Sequence, residues 1–363
     1  MFFKNLFTHA EKINQSIIKD VYTAHKPGLI SGSIMGTRWR YNSLGKTLDY
    51  ITNSGKLNTL KKQAQFNLKQ WERQKEFAPQ VVEVVNKDWG IAALETTRKH
   101  GKPYSILNMA NPVFPGGAVL EGGSAQEENM WHRSTCALSL LDKNVYLDKA
   151  SQTFRYNETT TKMLEAITKM SDAEQEKIKQ HLPEKNHIAY KVYFSPELKV
   201  CFRGPEVILN MGRLEDGTRL KNEPDIEFSY YFLRPEEIFP FYELRSAAPE
   251  LHSNPREWSN DALERYKADL QRRIASQLDT LILEGQVDVI LGAWGCGEFR
   301  NDPKIVAQIY GEEIEKRASL FNHIVFAIIN SGSSANYTIF EQELTGRKLG
   351  EPSSRSNSFS KTI

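Results

Sequence analysis

The sequence predicts an α/β sandwich, a central mixed sheet covered by helices on both faces, with a helical stretch ahead of it and inserts within it. Three observations carry this. Short apolar, β-branched runs alternate with longer amphipathic ones between residues 89 and 329. Two of the short runs empty directly into glycine-rich turns. The composition, 40% apolar and 25% charged over 363 residues, is that of a globular chain with a sizeable core.

Residues 1–80 read as mostly helical. Met1 to Ile18 alternates apolar and charged residues, and Lys4, Glu11 and Lys12 interrupt its apolar side. It therefore reads as an amphipathic helix packed on the domain, since a signal peptide needs an unbroken apolar core of at least about seven residues. Leu48, Ile51, Leu57 and Leu60 follow a loose helical period, and Trp71 is a candidate anchor. The core then runs helix Trp89–His100, strand Tyr104–Asn108, helix near Glu127–Leu140, strands Ile188–Phe194 and Phe239–Arg245, helix Asp261–Leu283, strand Val287–Leu291, helix Pro303–Ala318 and strand His323–Ile329. Asp142–Lys185 is polar, with a helix-start signal at Ser171 and Glu174. Met211–Tyr231 mixes Gly, Asp, Asn and Pro. Both segments read equally as recognition elements or as solvated elaborations. Divided accordingly, residues 1–80 form a helical extension packed on the core, 81–345 the core with inserts near 142–187 and 211–237, and 346–363 a polar, serine-rich tail expected to be disordered.

A net charge of +2 is too small for a nucleic-acid partner, which calls for a concentrated basic face. Lys61, Lys62, Lys69 and Arg73, and the run Arg265–Arg273, read as solvated helix faces. No stretch approaches the ~20 apolar residues of a membrane span. Cys136, Cys201 and Cys296 are odd in number and far apart, which fits a reducing, cytoplasmic-type compartment. No histidine pair has zinc-ligand spacing, so neither a metal nor another cofactor is expected.

The chemistry is concentrated in two places. From Asn108 to Glu128 a buried strand gives way to the pairs Gly116-Gly117 and Gly122-Gly123 and then to Gln126-Glu127-Glu128. Glycine lets a backbone take positive φ and approach a ligand closely. The same stretch also reads as a surface loop followed by the acidic first turn of a helix, which the helix dipole favours. The second place is Gln286–Phe299, a strand running into Gly292, Gly295 and Gly297 with Asn301-Asp302-Pro303 opening a helix. Strand, glycine loop and helix N-terminus in that order suit a diphosphate held on backbone amides. Neither cluster fits the dinucleotide fingerprint or the Gly-Lys-Ser/Thr phosphate loop. Cys296 also reads as a small buried residue, and Trp294 and Phe299 as core.

Adjacent carboxylates suit cleavage of a ribosyl bond. The oxocarbenium-like transition state needs a protonated acid at the leaving atom and a second polar group to hold the sugar or water. Two crowded, partly buried carboxylates keep one member protonated near neutral pH, and Glu128 is the expected proton donor beside Glu127. Glu121, Asp302, or an acid among Asp261, Asp269 and Asp279 are the alternatives.

With Gly-Gly-Ala followed by Gln-Glu-Glu, and Gly-Ala-Trp-Gly-Cys-Gly further on, the chain resembles the microbial-type poly(ADP-ribose) glycohydrolases (PARGs), a branch of the ADP-ribose-binding macrodomains. The likeness extends through Asn86–Asn111, Val192–Arg203, Leu244–Pro249 and Leu291–Ala307, and covers most of residues 35–330. It implies a macrodomain-like three-layer α/β/α sandwich. It also implies that Asn108 contacts the ribose nearest the scissile bond, Gly116 and Gly117 line that sugar, Gln126 shapes the loop, Glu127 holds ribose hydroxyls and Glu128 is the catalytic acid. Gly292, Gly295, Cys296 and Gly297 would wrap the diphosphate, and Phe299 would stack on the ligand. Where the family has a third consecutive glycine this chain has Ala118, and the loop up to Gln126 is rewritten. The resemblance therefore implies an ADP-ribosylhydrolase acting on modified protein side chains, with a polymer glycohydrolase and a non-catalytic ADP-ribose-binding module as alternatives. Composition, inserts and tail also resemble secreted effectors of intracellular bacteria, among them macrodomain hydrolases acting on ADP-ribosylated ubiquitin. The partners so implied are ADP-ribose or an ADP-ribosylated protein, ubiquitin included.

Overall fold

The computed structural model describes residues 15–28, 36–209, 223–330 and 335–350, together with Ser31 and Glu215. Most of Met1–Ile18, half of Met211–Tyr231 and the tail from Glu351 lie outside them. Helices α1 (Gln15–Ala24), α2 (Thr37–Ile51) and α3 (Ser54–Glu72) precede strand β1 (Val81–Val85). Helix α4 (Trp89–His100), β2 (Ser105–Met109) and α5 (Gln126–Arg133) follow. Residues 142–187 hold the hairpin β3 (Val145–Asp148) and β4 (Thr153–Tyr156), then α6 (Glu158–Leu164) and α7 (Asp172–Lys179). Strand β5 (Tyr193–Cys201) leads to a short hairpin of β6 (Val207–Leu209) and β7 (Glu223–Asp225). The chain closes with β8 (Phe239–Ser246), α8 (Asn260–Leu283), β9 (Asp288–Leu291), α9 (Pro303–Glu315), β10 (His323–Ala327) and α10 (Asn336–Leu344).

Six strands form one sheet in the order β1-β10-β9-β2-β8-β5, all parallel to their neighbours except β5, which pairs antiparallel with β8. Parallel strands covered on both faces are apolar without alternation, and all four residues of β9 are buried. Successive side chains serve opposite cores. Ile106, Ile290 and Val325 face the layer built by α1 to α5. Leu107, Val289, Leu291 and Phe326 face α8, α9 and α10. In α8, Leu270, Ile274, Leu278 and Leu281 make one buried stripe at helical spacing.

Local signals explain the boundaries. Asp88 caps α4 by accepting from Gly90 N (2.8 Å) and Ile91 N (3.2 Å), and Gly101 at φ 63° ends it. Ser171 and Glu174 form the capping box that starts α7. The helix expected over Glu127–Leu140 instead breaks at Ser134, which is extended. Its hydroxyl donates to Met130 O and accepts from Cys136 N, and Thr135–Leu141 continue as a 3₁₀ turn. The strand expected at Ile188–Phe194 starts at Tyr193 and runs on to Cys201. Its register slips between Ser195 and Lys199, where Pro196 has no N–H to give the ladder. Within 142–187, Phe154, Tyr156, Leu164 and Ile178 are buried, so this insert is integrated into the core.

Candidate active site

The carboxyl ends of β1, β2, β8, β9 and β10 open together on one cleft of about 470 Å³, the place where parallel α/β sheets commonly take ligands. It brings the two glycine clusters together. Gly117, Ala118, Gln126, Glu127 and Glu128 line one side, and Trp294, Gly295, Gly297 and Phe299 the other.

Each part of the first cluster is fixed by backbone hydrogen bonds. Gln126 ties the start of α5 to the end of β2, accepting from Met109 N at 2.9 Å and donating to Leu107 O at 2.9 Å. Gly116 stands at φ 82° against Trp131, whose ring would meet any Cβ at 2.6 Å. A Cβ on Gly117, at φ 58°, would lie 2.4 Å from Glu128 Oε1 and 3.2 Å from Glu127 Oε2, so only glycine leaves both carboxylates in place. Ala118 is tolerated because Gly123 faces it without a side chain; a Cβ there would sit 3.0 Å from the Ala118 methyl. The other glycine of that pair, Gly122 at φ 82°, packs on the backbone of Thr37 in α2 rather than on the cleft.

The two glutamates differ in their partners. Both oxygens of Glu127 accept backbone N–H groups, Oε1 from Gly116 (3.0 Å) and Oε2 from Asn111 (2.7 Å). Glu128 accepts from Ala118 N through Oε1 at 2.8 Å, while its Oε2 is buried and has no partner. Burial raises both carboxyls above the usual carboxylate range. For Glu127 the neighbouring Glu128 adds to the rise, against the hydrogen bonds from Asn111 and Gly116. Because Glu127 uses both oxygens as acceptors, Glu128 Oε2 is the oxygen of the pair left free to carry a proton.

Asn108 lies beneath this wall rather than on it. It is fully buried and donates from Nδ2 to Glu243 Oε1 at 2.7 Å. In the second cluster Gly295, at φ 72°, is pinned against Ala248 and Asn301, and Asn301 donates to Gly295 O (3.0 Å) and Pro249 O (2.8 Å). Gly297 has open space where a Cβ would stand. Gly292 gives way to Met109, and Cys296, its thiol pushed up by burial, faces Trp294 O; neither lines the cleft. Trp294 is fully buried and donates to Ser246 O at 3.0 Å.

The expectation that α9 presents its N-terminus to a diphosphate is corrected. Asp302 caps that helix, accepting from Lys304 N at 2.9 Å, and Asn301, Asp302 and Pro303 line a separate depression with His252. A negative charge already occupies the amides an anion would use. The alternative acids also stand elsewhere. Glu121 lies 3.8 Å from His25, Asp269 pairs with Arg272 and Arg273, and Asp279 is buried against Arg317. Lys87, Asp88, Asn111, Glu298, Ile328 and Ile329 line the cleft and were missed in the sequence. Asp88 carried a legible signal as a helix cap, whereas Glu298 sat among the glycines already noted. Among the described residues no cluster of His, Cys, Asp and Glu forms a metal site, and no helix is long and apolar enough to cross a membrane.

Residues 41–171 match the family model described as the microbial-type PARG catalytic domain. Among solved structures the chain is similar to the Thermomonospora curvata poly(ADP-ribose) glycohydrolase (20% identity, 84% of this chain and 99% of that one, TM-score 0.46). It is also similar to the Deinococcus radiodurans enzyme solved with ADP-ribose (21% identity, 78% of this chain and 91% of that one, TM-score 0.41). No curated protein matches the sequence. The chain thus resembles the microbial-type PARG catalytic domain, through a segment that contains Gly116, Gly117, Glu127 and Glu128.

Proposed function

We propose that this chain is a glycosyl hydrolase of the PARG type that breaks ribosyl bonds of ADP-ribose conjugates. The observation that carries this reading is the carboxylate pair: Glu127 held on both oxygens, Glu128 with one oxygen free to hold a proton, both on a cleft shared by two glycine loops. Glu128 gives its proton to the leaving oxygen as the bond from the ribose anomeric carbon breaks. Water adds to the oxocarbenium-like centre, and its proton returns to Glu128. Glu127, fixed by the Asn111 and Gly116 amides, faces the developing positive charge and holds sugar hydroxyls.

Cleavage of poly(ADP-ribose) is the leading form of this activity, in line with the family model. The close approach of the Ala118 methyl to Gly123 within the loop supports this form. Release of a single ADP-ribose from a protein side chain is the second form, with ADP-ribosylated ubiquitin as one substrate of that kind. The three cysteines are unpaired, which supports a reducing compartment. Isotope-labelled poly- and mono-ADP-ribosylated proteins, incubated in parallel with the chain, separate the two forms. Binding of free ADP-ribose with release of label from neither would leave a non-catalytic reader.

A further inference from the structure

We infer that the cavity between the Gly116–Gly122 loop and helices α1 and α2 is a second binding site, for a small, flat, apolar molecule that carries one hydrogen-bond acceptor. Its volume is about 270 Å³, and an apolar space of about 150 Å³ already takes benzene. Ile18 of α1, Leu44 and Leu48 of α2, Val119 and Leu120 of the loop and Phe154 of β4 make much of its wall, all of them buried. The loop spans the cavity between two anchors, Gly116 on the Trp131 ring and Gly122 on Thr37.

Trp131 sets what the occupant must offer. It lines the cavity, is 1% exposed, and its indole Nε1–H has no hydrogen-bond partner among the described residues. Buried tryptophan normally uses that donor, as Trp89 does on Asn129 Oδ1 (2.9 Å) and Trp294 on Ser246 O (3.0 Å). An unmade bond there is a cost that phenylalanine would avoid. A bridging water needs at least about two polar partners, and the wall's other polar side chains are engaged. Asn111 Oδ1 accepts from Val113 N and Phe114 N, and the Thr153 hydroxyl bonds that of Ser151. Glu121 is exposed and marks the opening. A flat ring with one acceptor matches the apolar wall and the idle donor together. Asn111, Gly117 and Ala118 border this cavity and the cleft alike. The Asn111 amide holds Glu127 Oε2 and the Ala118 amide holds Glu128 Oε1, so an occupant braces the loop that positions both carboxylates. Its bearing on catalysis rests on the hydrolase reading above; occupancy itself does not.

Quinoline and naphthalene share one shape and differ by a ring nitrogen, which makes them the probes. They are titrated into the full chain carrying ¹⁵N in tryptophan, at mildly alkaline pH where quinoline is neutral. The Trp131 indole signal is assigned through Trp131→Phe or, should that variant misfold, through Trp→Phe at each other tryptophan. It should move downfield with quinoline, which should bind about three- to tenfold tighter than naphthalene, the scale of one net hydrogen bond. Hydrogen exchange at the amides of residues 116–121 should slow when quinoline is bound. Leu48→Phe, which fills the cavity from α2, should abolish both effects. Equal affinities for the two probes, a still Trp131 signal, or movement at Trp89 and Trp294 in the cleft instead would overturn the inference. So would unchanged loop exchange, or undiminished binding in folded Leu48→Phe. Should that variant misfold, the parent's ranking of the probes and the identity of the shifted signal decide. No ADP-ribose conjugate enters the measurement, so failure of the hydrolase reading would show separately, as absent turnover in the parent chain.

Discussion

Ala118 donates its backbone N–H to Glu128 Oε1 at 2.8 Å, so the residue that follows the Gly116-Gly117 pair also holds the candidate acid. The Ala118 methyl itself stands against Gly123. What α5 contributes is spacing: consecutive residues of its first turn put one carboxylate on Gly116 and Asn111 and the next on Ala118.

Loss of the proton donor should separate turnover from binding. Glu128→Gln should lower kcat by about a hundredfold or more, the usual scale for a general acid. It should leave ADP-ribose affinity nearly intact, because Gln can still accept from Ala118. Glu127→Gln should weaken binding as well, since an amide cannot accept on both sides and frees Gly116 or Asn111. Full activity in the double variant would move the search to Glu298 or Asp88, the other acids on the cleft.

The second glycine loop is best tested at Gly297. Gly295→Val would strain a φ of 72° and drive a Cβ into Ala248 at 2.5 Å, so it should lose fold and ligand together. A Cβ on Gly297 meets nothing within 4 Å. Gly297→Val should keep the parent melting temperature while calorimetry shows a fall in ADP-ribose affinity of at least about tenfold, or about 1.4 kcal/mol. Unchanged affinity would place the diphosphate elsewhere.

Much of this site was legible because its residues are punctuation. Gly116, Gly117, Gly295 and the pair Glu127-Glu128 stand at the exits of apolar runs, and strand exits are where a parallel sheet collects its loops. Contacts with distant partners could not be read. Gly122 looked like part of a ligand loop, yet its partner is Thr37, 85 positions away in the chain. Asn108 reads in the sequence as a sugar contact, and its burial against Glu243, to which Nδ2 donates while Oδ1 has no partner, could not be read there. Helix α9 looked like an anion cradle because the cap that occupies it, Asp302, is also a common helix opener. Strand β1, Val-Val-Glu-Val-Val, was overlooked despite its β-branched residues.

Protonation of the site should be visible in stability. Burial raises the Glu128 pKa, so the folded chain holds that proton more tightly than the unfolded one. Its contribution is fully present below the unfolded value near about 4.3 and is lost as pH rises through the folded value. Gln has no proton to lose. Glu128→Gln should therefore melt above the parent from about pH 5 upward, by a margin that widens with pH until Glu128 ionises and that vanishes near about pH 4. A margin independent of pH would mean that Glu128 ionises without hindrance.

The contact between the Gly116–Gly123 loop and α2 carries the last prediction. A Cβ on Gly122 would meet Thr37 O at 2.7 Å and Thr37 Cα at 2.9 Å, main-chain atoms that cannot turn aside, and φ there is 82°. Gly285, at φ 67° with nothing within 4 Å, shares the backbone conformation but not the contact. Alanine at Gly285 should cost only the left-handed backbone, about 1–2 kcal/mol. Alanine at Gly122 should cost about 1–3 kcal/mol more, the range for overpacking. Only the latter should also slow turnover. Gly123 N and Glu121 N both bond Ala118 O, at 2.8 and 3.1 Å, so pushing Gly122 off α2 drags Ala118 and loosens its hold on Glu128. Denaturant unfolding and kcat, measured on both variants, decide it. Equal stability losses with turnover intact in Gly122→Ala would show that α2 merely borders the loop, whereas a larger loss coupled to slower turnover makes the N-terminal helices part of the support for the acid.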